Sequence, residues 1–203
     1  QNDSVLVGEV WEDASNKVSY CQRRKYLLGK QLDSVMGYPF RKEMLSFLKG
    51  EIPSYKVNDV YMSIKENYPP EAFKSNLNLI STHDVRRVKT ELNNDKDLVK
   101  LAVLAQMTFE GVPYIYYGDE VGLDGGDDPQ NRKCMIWDEE KQNKELLNFY
   151  KKMIKIRASN KALVHGDFEE VYCDENLLAF KRVLNDEKLI VIFNNSDEDA
   201  IIE

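Results

Sequence analysis

Three hydrophobic runs in this chain stop at acids, and acids placed there can do proton chemistry. Glu9 closes "SVLVGE", Asp84 follows His83 at the end of "NLISTHD", and Asp119 and Glu120 close "VPYIYYGDE". Carboxyl groups converging over one sheet edge can protonate a leaving oxygen and stabilise a cationic transition state, as cleavage of a glycosidic bond requires. Each has a plainer reading too. A lone strand-end glutamate is commonly a solvated or capping acid, and a lone histidine a hydrogen-bonded structural one. Glu9 is in phase with Val5 and Val7 and so points to their side, and His83 gains weight from Asp84 beside it.

The pair "HD" also fits part of a metal site. The only other histidine, His165, lies far along the chain, and nothing else supplies the usual nitrogen and sulfur donors. "DGGDDPQN" has the aspartates and glycines of a calcium loop but lacks the spacing and terminal glutamate of an EF-hand, which leaves a Gly/Asp-rich turn. Trp11, Tyr38, Tyr114, Tyr116 and Tyr117 fall on or just past strand ends. Such rings stack on the C–H faces of sugars or fill a core; core is favoured for the last three, and Trp11 is the one set to meet a sugar.

The elements that position these residues follow from periodicity. "SVLVGEVW" is apolar on both sides, "LDSVMGYPF" and "SNLNLISTHD" are further strands, and "VPYIYYGDE" is a fourth. Between and after them, helices are predicted over 16–28 (stopping at Gly29), over "RKEMLSFLKG", over 97–109 with Leu98, Leu101, Ala102, Ala105 and Phe109 in line, and over "KELLNFYKKMIKIR". Strands alternating with helices argue for parallel βα units, whose ligands bind at the C-terminal strand ends. After about residue 160, "DFEEVYC", "LLAFKRVL" and "KLIVIFNN", separated by "DEN" and "NDE", read as antiparallel hairpins.

Composition narrows the partners. The 203 residues carry a net charge of -7 with dispersed Lys and Arg, which gives no basic field for nucleic acid or an anionic membrane. No apolar run approaches the ~20 residues of a membrane span. "QNDSVLVGEV" does not look like a signal peptide, because its apolar segment is short and carries Glu9, and it reads as a cut made just before a strand. Cys21, Cys134 and Cys173 are far apart and odd in number, so reduced thiols in a cytoplasmic protein are expected.

Taken in order, "VGEVWED", "LDSVMGYPFR", "NLISTHDVRR" and "GVPYIYYGDEVGLDGGDDPQNRKCMIWD" resemble the latter half of the alpha-amylase superfamily of glycoside hydrolases, nearest its neopullulanase and cyclomaltodextrinase branch. The resemblance runs from about Val5 to Arg157. It implies an α/β fold in which residues 1–160 are the C-terminal half of a (βα)₈ barrel, strands five to eight, and 161–203 begin a C-terminal antiparallel β domain. It makes Glu9 the general acid/base and Asp84 the carboxylate that stabilises the transition state, with His83, Trp11, Arg87, Asp128 and Arg132 binding substrate. A raised pKa suits the acid, through partial desolvation of Glu9 by its strand, while Asp84 is expected to stay ionised beside a donor such as His83.

Two residues depart from the pattern: Glu12 stands where many relatives have histidine, and Gly37 where the form "VMNYP" has asparagine. The family's nucleophile is an aspartate in a G-x-R-x-D segment, and this sequence has no such segment. A retaining mechanism needs nucleophile and acid/base ~5 Å apart, so the chain is expected to be a fragment inactive on its own. The implied parent cleaves α-1,4 bonds in starch, pullulan or cyclodextrins. A transglycosylase of the same family and a non-catalytic amylase-like binding protein are the other readings. No cofactor is expected here; any calcium ion would belong to a part preceding Gln1. Open strand edges on a half barrel favour self-association into a homo-oligomer.

Overall fold

A computed structural model describes residues 4–201. Its first part is built on four short parallel strands. β1 (Val7–Gly8) pairs with β4 (Ser34–Val35) in the register Val7↔Ser34. A single bridge, Met36↔Leu77, carries the order on to β5 (Leu77–Leu79), which pairs with β6 (Val112–Tyr114). Each strand end therefore points the same way, and the loops that follow them gather on one side.

Helices make the crossovers. Three lie between β4 and β5: α1 (Tyr38–Leu48), α2 (Ser54–Asn67) and α3 (Pro70–Lys74). Sequence periodicity picks out only the first, although Val57, Tyr61 and Ile64 bury one stripe of α2 and Pro53 precedes it. α4 (Val88–Glu91) and α5 (Lys96–Thr108) follow β5, and the Asp95 carboxylate caps α5 by accepting from the amides of Asp97 and Leu98. α6 (Lys144–Ser159) and α7 (Lys161–His165) come after β6.

The helix predicted over 16–28 does not form. In its place β2 (Val18–Ser19) and β3 (Gln22–Arg23) make a small hairpin, with Tyr20 and Cys21 at φ 53° and 59°. Val18 and Tyr20 are exposed, so a helix here would have no core against which to bury a stripe. The hairpin instead closes through Arg24 N–H donating to Lys17 O and the Arg23 guanidinium donating to Ser15 O.

Gly37 has a spatial reason. A Cβ there would lie 2.6 Å from the Leu77 carbonyl oxygen, the atom that accepts the Gly37 amide at 2.8 Å. The side chain missing at Gly37 is what lets β4 and β5 approach.

Beyond α7 the chain forms an antiparallel sheet in the order β7 (Asp167–Cys173), β8 (Leu177–Leu184), β9 (Glu187–Asn194). Asn185 takes φ 53° in the turn between β8 and β9. The inner face of the sheet, Phe168, Phe180 and Phe193, packs on Phe109 at the end of α5, with ring centroids 5.5, 4.7 and 6.5 Å away. Tyr61 of α2 and Phe40 of α1 complete the group at 4.8 and 5.2 Å from Phe109. Arg182, fully buried on β8, donates to Thr108 O and Gly166 O and so ties the sheet to α5.

The outer strands leave apolar residues uncovered. Val5, Leu6 and Val7 on the β1 side and Val112 and Ile115 on the β6 side are all exposed. Among the described residues no helix is long and apolar enough to cross a membrane.

Candidate active site

Three strand-end segments meet above the parallel strands. Glu9 follows β1 directly, Tyr38 opens α1 after β4, and Thr82, His83 and Asp84 follow β5. Tyr38 connects the first segment to the third: its hydroxyl donates to Glu9 Oε1 at 2.9 Å and lies 3.3 Å from Thr82 Oγ1. The Asp84 amide donates to the same Thr82 oxygen at 3.2 Å. A line of hydrogen bonds thus runs from one carboxylate to the backbone of the other.

Glu9, His83 and Asp84 each present one ligand-type atom within 4.8 Å of the others. His83 Nε2 lies 3.3 Å from Asp84 Oδ2, while Arg132 Nη2 reaches Asp84 Oδ1 at 3.3 Å. Arg132 also pairs with Asp128 at 3.1 Å, so the guanidinium bridges two predicted sugar-binding segments. The three ligand-type groups could touch a small cation, but Arg132 already supplies the positive charge beside Asp84.

Trp11 stacks on Tyr38 with centroids 4.2 Å apart and planes 8° from parallel. The indole remains 49% exposed, so one face is fixed by Tyr38 while much of the ring meets solvent. Burial pushes the Tyr38 hydroxyl well above the ordinary phenol range, and the neighbouring Glu9 carboxylate pushes the same way. Tyr38 therefore stays a neutral donor at any working pH.

Two expectations need correction. Glu9 is exposed, as are Val5 and Val7 in phase with it, so the desolvation expected from its strand is not supplied by this chain. The four strands offer that face no opposite wall. Arg87 is fully buried and cannot bind substrate from where it sits. Its guanidinium donates to Asn131 O at 2.8 Å, to Tyr117 O, and to Asp119 Oδ1 at 3.0 Å, and lies over the rings of Tyr116 and Tyr117 at 4.0 and 4.7 Å.

That contact also places Asp119. It lies in a short 3-10 turn (Asp119–Val121) five residues past β6, and its side chain is buried in an ion pair with Arg87. Burial lifts its pKa to about 6, against the opposing pull of Ser81 and Arg87. The turn at 124–131 uses its acids on neighbours: Asp124 pairs with Lys133, Asp127 with Arg86 and Asp128 with Arg132.

Two residues that sequence reasoning does not single out become prominent in the geometry. Thr82 joins Tyr38 to the Asp84 backbone, and Asn131 is buried with its amide aimed at the same turn. Their only sequence-level signal is position: one precedes "HD", and the other lies between Asp128 and Arg132.

Glu9, His83 and Asp84 thus converge beside a Tyr38 ring that carries Trp11. Residues 1–166 match the family model described as alpha amylase, catalytic domain. The chain belongs to the alpha-amylase family. Within this family of glycoside hydrolases it is 42% identical over 201 residues to a cyclomaltodextrinase of Thermoanaerobacter pseudethanolicus, covering 98% of this chain and 33% of that relative. It is 38% identical over 203 residues to neopullulanase 2 of Thermoactinomyces vulgaris, with the same two coverages. Among solved structures, the debranching enzyme of Nostoc punctiforme superposes with a TM-score of 0.88 at 32% identity, covering 98% of this chain and 42% of that one. The chain thus spans about a third of the length of the curated relatives it matches.

Proposed function

We propose that residues 1–203 supply the acid/base half of a retaining hydrolase acting on α-1,4-glucosidic bonds of cyclodextrins, pullulan or starch oligosaccharides. The observation that carries this reading is the convergence of Glu9, His83 and Asp84 at parallel strand ends in an alpha-amylase family chain. Glu9 protonates the glycosidic oxygen and later takes a proton from water. Asp84 holds sugar hydroxyls as positive charge builds on the ring, with His83 beside it. Trp11 stacks on the leaving-side sugar, while Arg132 and Asp128 meet the chain on the other side.

In this reading residues 1–160 are strands five to eight of the barrel and 161–203 begin the C-terminal β domain. The nucleophile comes from outside this stretch, so 203 residues alone release no sugar. The reaction asks only carboxyl, imidazole and guanidinium groups of this stretch, without a cofactor. The exposed apolar residues flanking β1 and β6 support self-association of the isolated chain, which light scattering tests: a clean monomer at high concentration removes it. Three free cysteines support a cytoplasmic location.

The test is turnover of maltooligosaccharides and cyclodextrin by the full-length enzyme with Glu9→Gln. Loss of at least about a thousandfold in kcat is expected, the upper range for general acid catalysis. Near-normal turnover sinks the assignment. A ratio of transfer to hydrolysis products above one with maltotriose as acceptor would favour transglycosylation instead.

A further inference from the structure

Asn131 is buried completely, and none of the roles assigned so far uses it. Its amide nitrogen donates to three backbone carbonyls of one turn: Thr82 O at 3.3 Å, His83 O at 2.7 Å and Val85 O at 2.9 Å. Two N–H bonds serve three acceptors, so one is shared. The Asn131 amide oxygen is buried without a partner, which leaves the NH₂ as the half of the side chain that is used. On the main-chain side, the Asn131 carbonyl accepts from Arg87 Nε at 2.8 Å. The next residue, Arg132, adds a bond from Nε to the His83 carbonyl at 2.9 Å and grips the Asp84 carboxylate.

The ends of this turn are held by other groups, Arg41 donating to the carbonyls of Ile80 and Arg86 and Ser81 Oγ accepting from Val88 N–H, while Asn131 and Arg132 hold its middle. β5 ends at Leu79, and α4 begins at Val88, so residues 80–87 cross from strand to helix without a ladder partner. His83 and Asp84 ride on that crossing. A side chain bonded to the carbonyls on either side of Asp84 sets where the carboxylate and the imidazole stand relative to Glu9.

We infer that Asn131 is a positioning residue whose amide NH₂ fixes the 82–85 turn and so places Asp84 and His83 for reaction. This rests on the reading of Asp84 as a carboxylate of the active site. Asn131→Asp is the sharp variant, because it keeps the shape while turning two donors into an acceptor facing three carbonyl oxygens. A purely space-filling role predicts wild-type behaviour.

The experiment pairs kinetics with NMR. In the full-length enzyme, Asn131→Asp is expected to lower kcat about tenfold to a hundredfold, the cost of misplacing a catalytic group by about an ångström, with KM changed far less. In the chain of residues 1–203, which contains only two histidines, the ring signals of His83 shift while those of His165 in α7 stay in place. Asn131→Ser, which keeps one donor, falls between the two and serves if the aspartate variant does not fold. Wild-type kcat and an unmoved His83 signal in a folded variant overturn the inference, provided Asp84→Asn abolishes turnover. Normal turnover by Asp84→Asn overturns the reading of the site itself, and the inference with it.

Discussion

Replacing Arg87 by methionine separates a buried clamp from a side chain that binds sugar. The structure sets the cost. Methionine keeps much of the stem but removes the charge, so the carbonyls of Asn131 and Tyr117 lose a charged donor, at about 1.5–3 kcal/mol for such bonds. The stacking over Tyr116 and Tyr117 is lost as well, worth about 0.5–2 kcal/mol. The electrostatic part is limited by Asp119. With its pKa already at about 6, that carboxyl takes a proton once Arg87 is gone. At pH 7 this adds only about 1.4 kcal/mol, and it grows by the same amount for each further pH unit. The sum is a loss on the order of 3–6 kcal/mol at pH 7, smaller at pH 5.5. Urea unfolding followed by far-UV circular dichroism at both pH values measures it. In an Asp119→Asn background the loss caused by the methionine substitution is expected to carry no pH dependence. A loss below about 1 kcal/mol, together with weakened maltose binding, would refute the buried clamp and return Arg87 to the substrate.

Asp119→Asn alone tests the raised carboxyl. An acid with a folded pKa of about 6 against 3.8 unfolded holds its proton longer in the folded state, so stability falls as pH rises from about 4 to 6 and then levels. The drop is on the order of 3 kcal/mol, and the asparagine variant, though less stable because Arg87 loses its partner, lacks that slope in urea midpoints between pH 4.5 and 7. Tyr38→Phe removes the donor to Glu9 while leaving a ring to stack on Trp11. In the full-length enzyme it is expected to lower kcat about tenfold or somewhat more with little change in melting temperature; unchanged kcat would show that Glu9 is held by something else.

Much of the layout was legible in the sequence because it depends on local pattern. The loops after β1 and β5 that carry Glu9 and Asp84 could be found from where apolar runs stop, and α5 and α6 from their 3.6-residue spacing. The antiparallel strands could be read from their alternation and the short polar links between them. What failed depended on distant partners. Arg87 lies beside His83 and Asp84 in sequence, yet its partners Tyr117, Asp119 and Asn131 are 30 to 44 positions away and draw it under the site. Asn131 reaches back 46 to 49 positions to the carbonyls it holds. The segment 16–28 has enough apolar residues for a helix, but Val18 and Tyr20 stay exposed rather than joining the core. α2 was missed for the converse reason: a mostly polar segment becomes helical because Val57, Tyr61 and Ile64 have a core waiting.

The ring of aromatics around Phe109 has a consequence for how the molecule comes apart. Topology changes near residue 160, but the packing does not, since Phe109 touches side chains from both α1 and α2 on one side and from β7, β8 and β9 on the other. A gene cut there would bare aromatic faces on both products, and each would be prone to aggregate. In the intact chain, the same rings couple the two regions, so calorimetry should register one heat-absorption peak in which the parallel strands and the antiparallel sheet melt together.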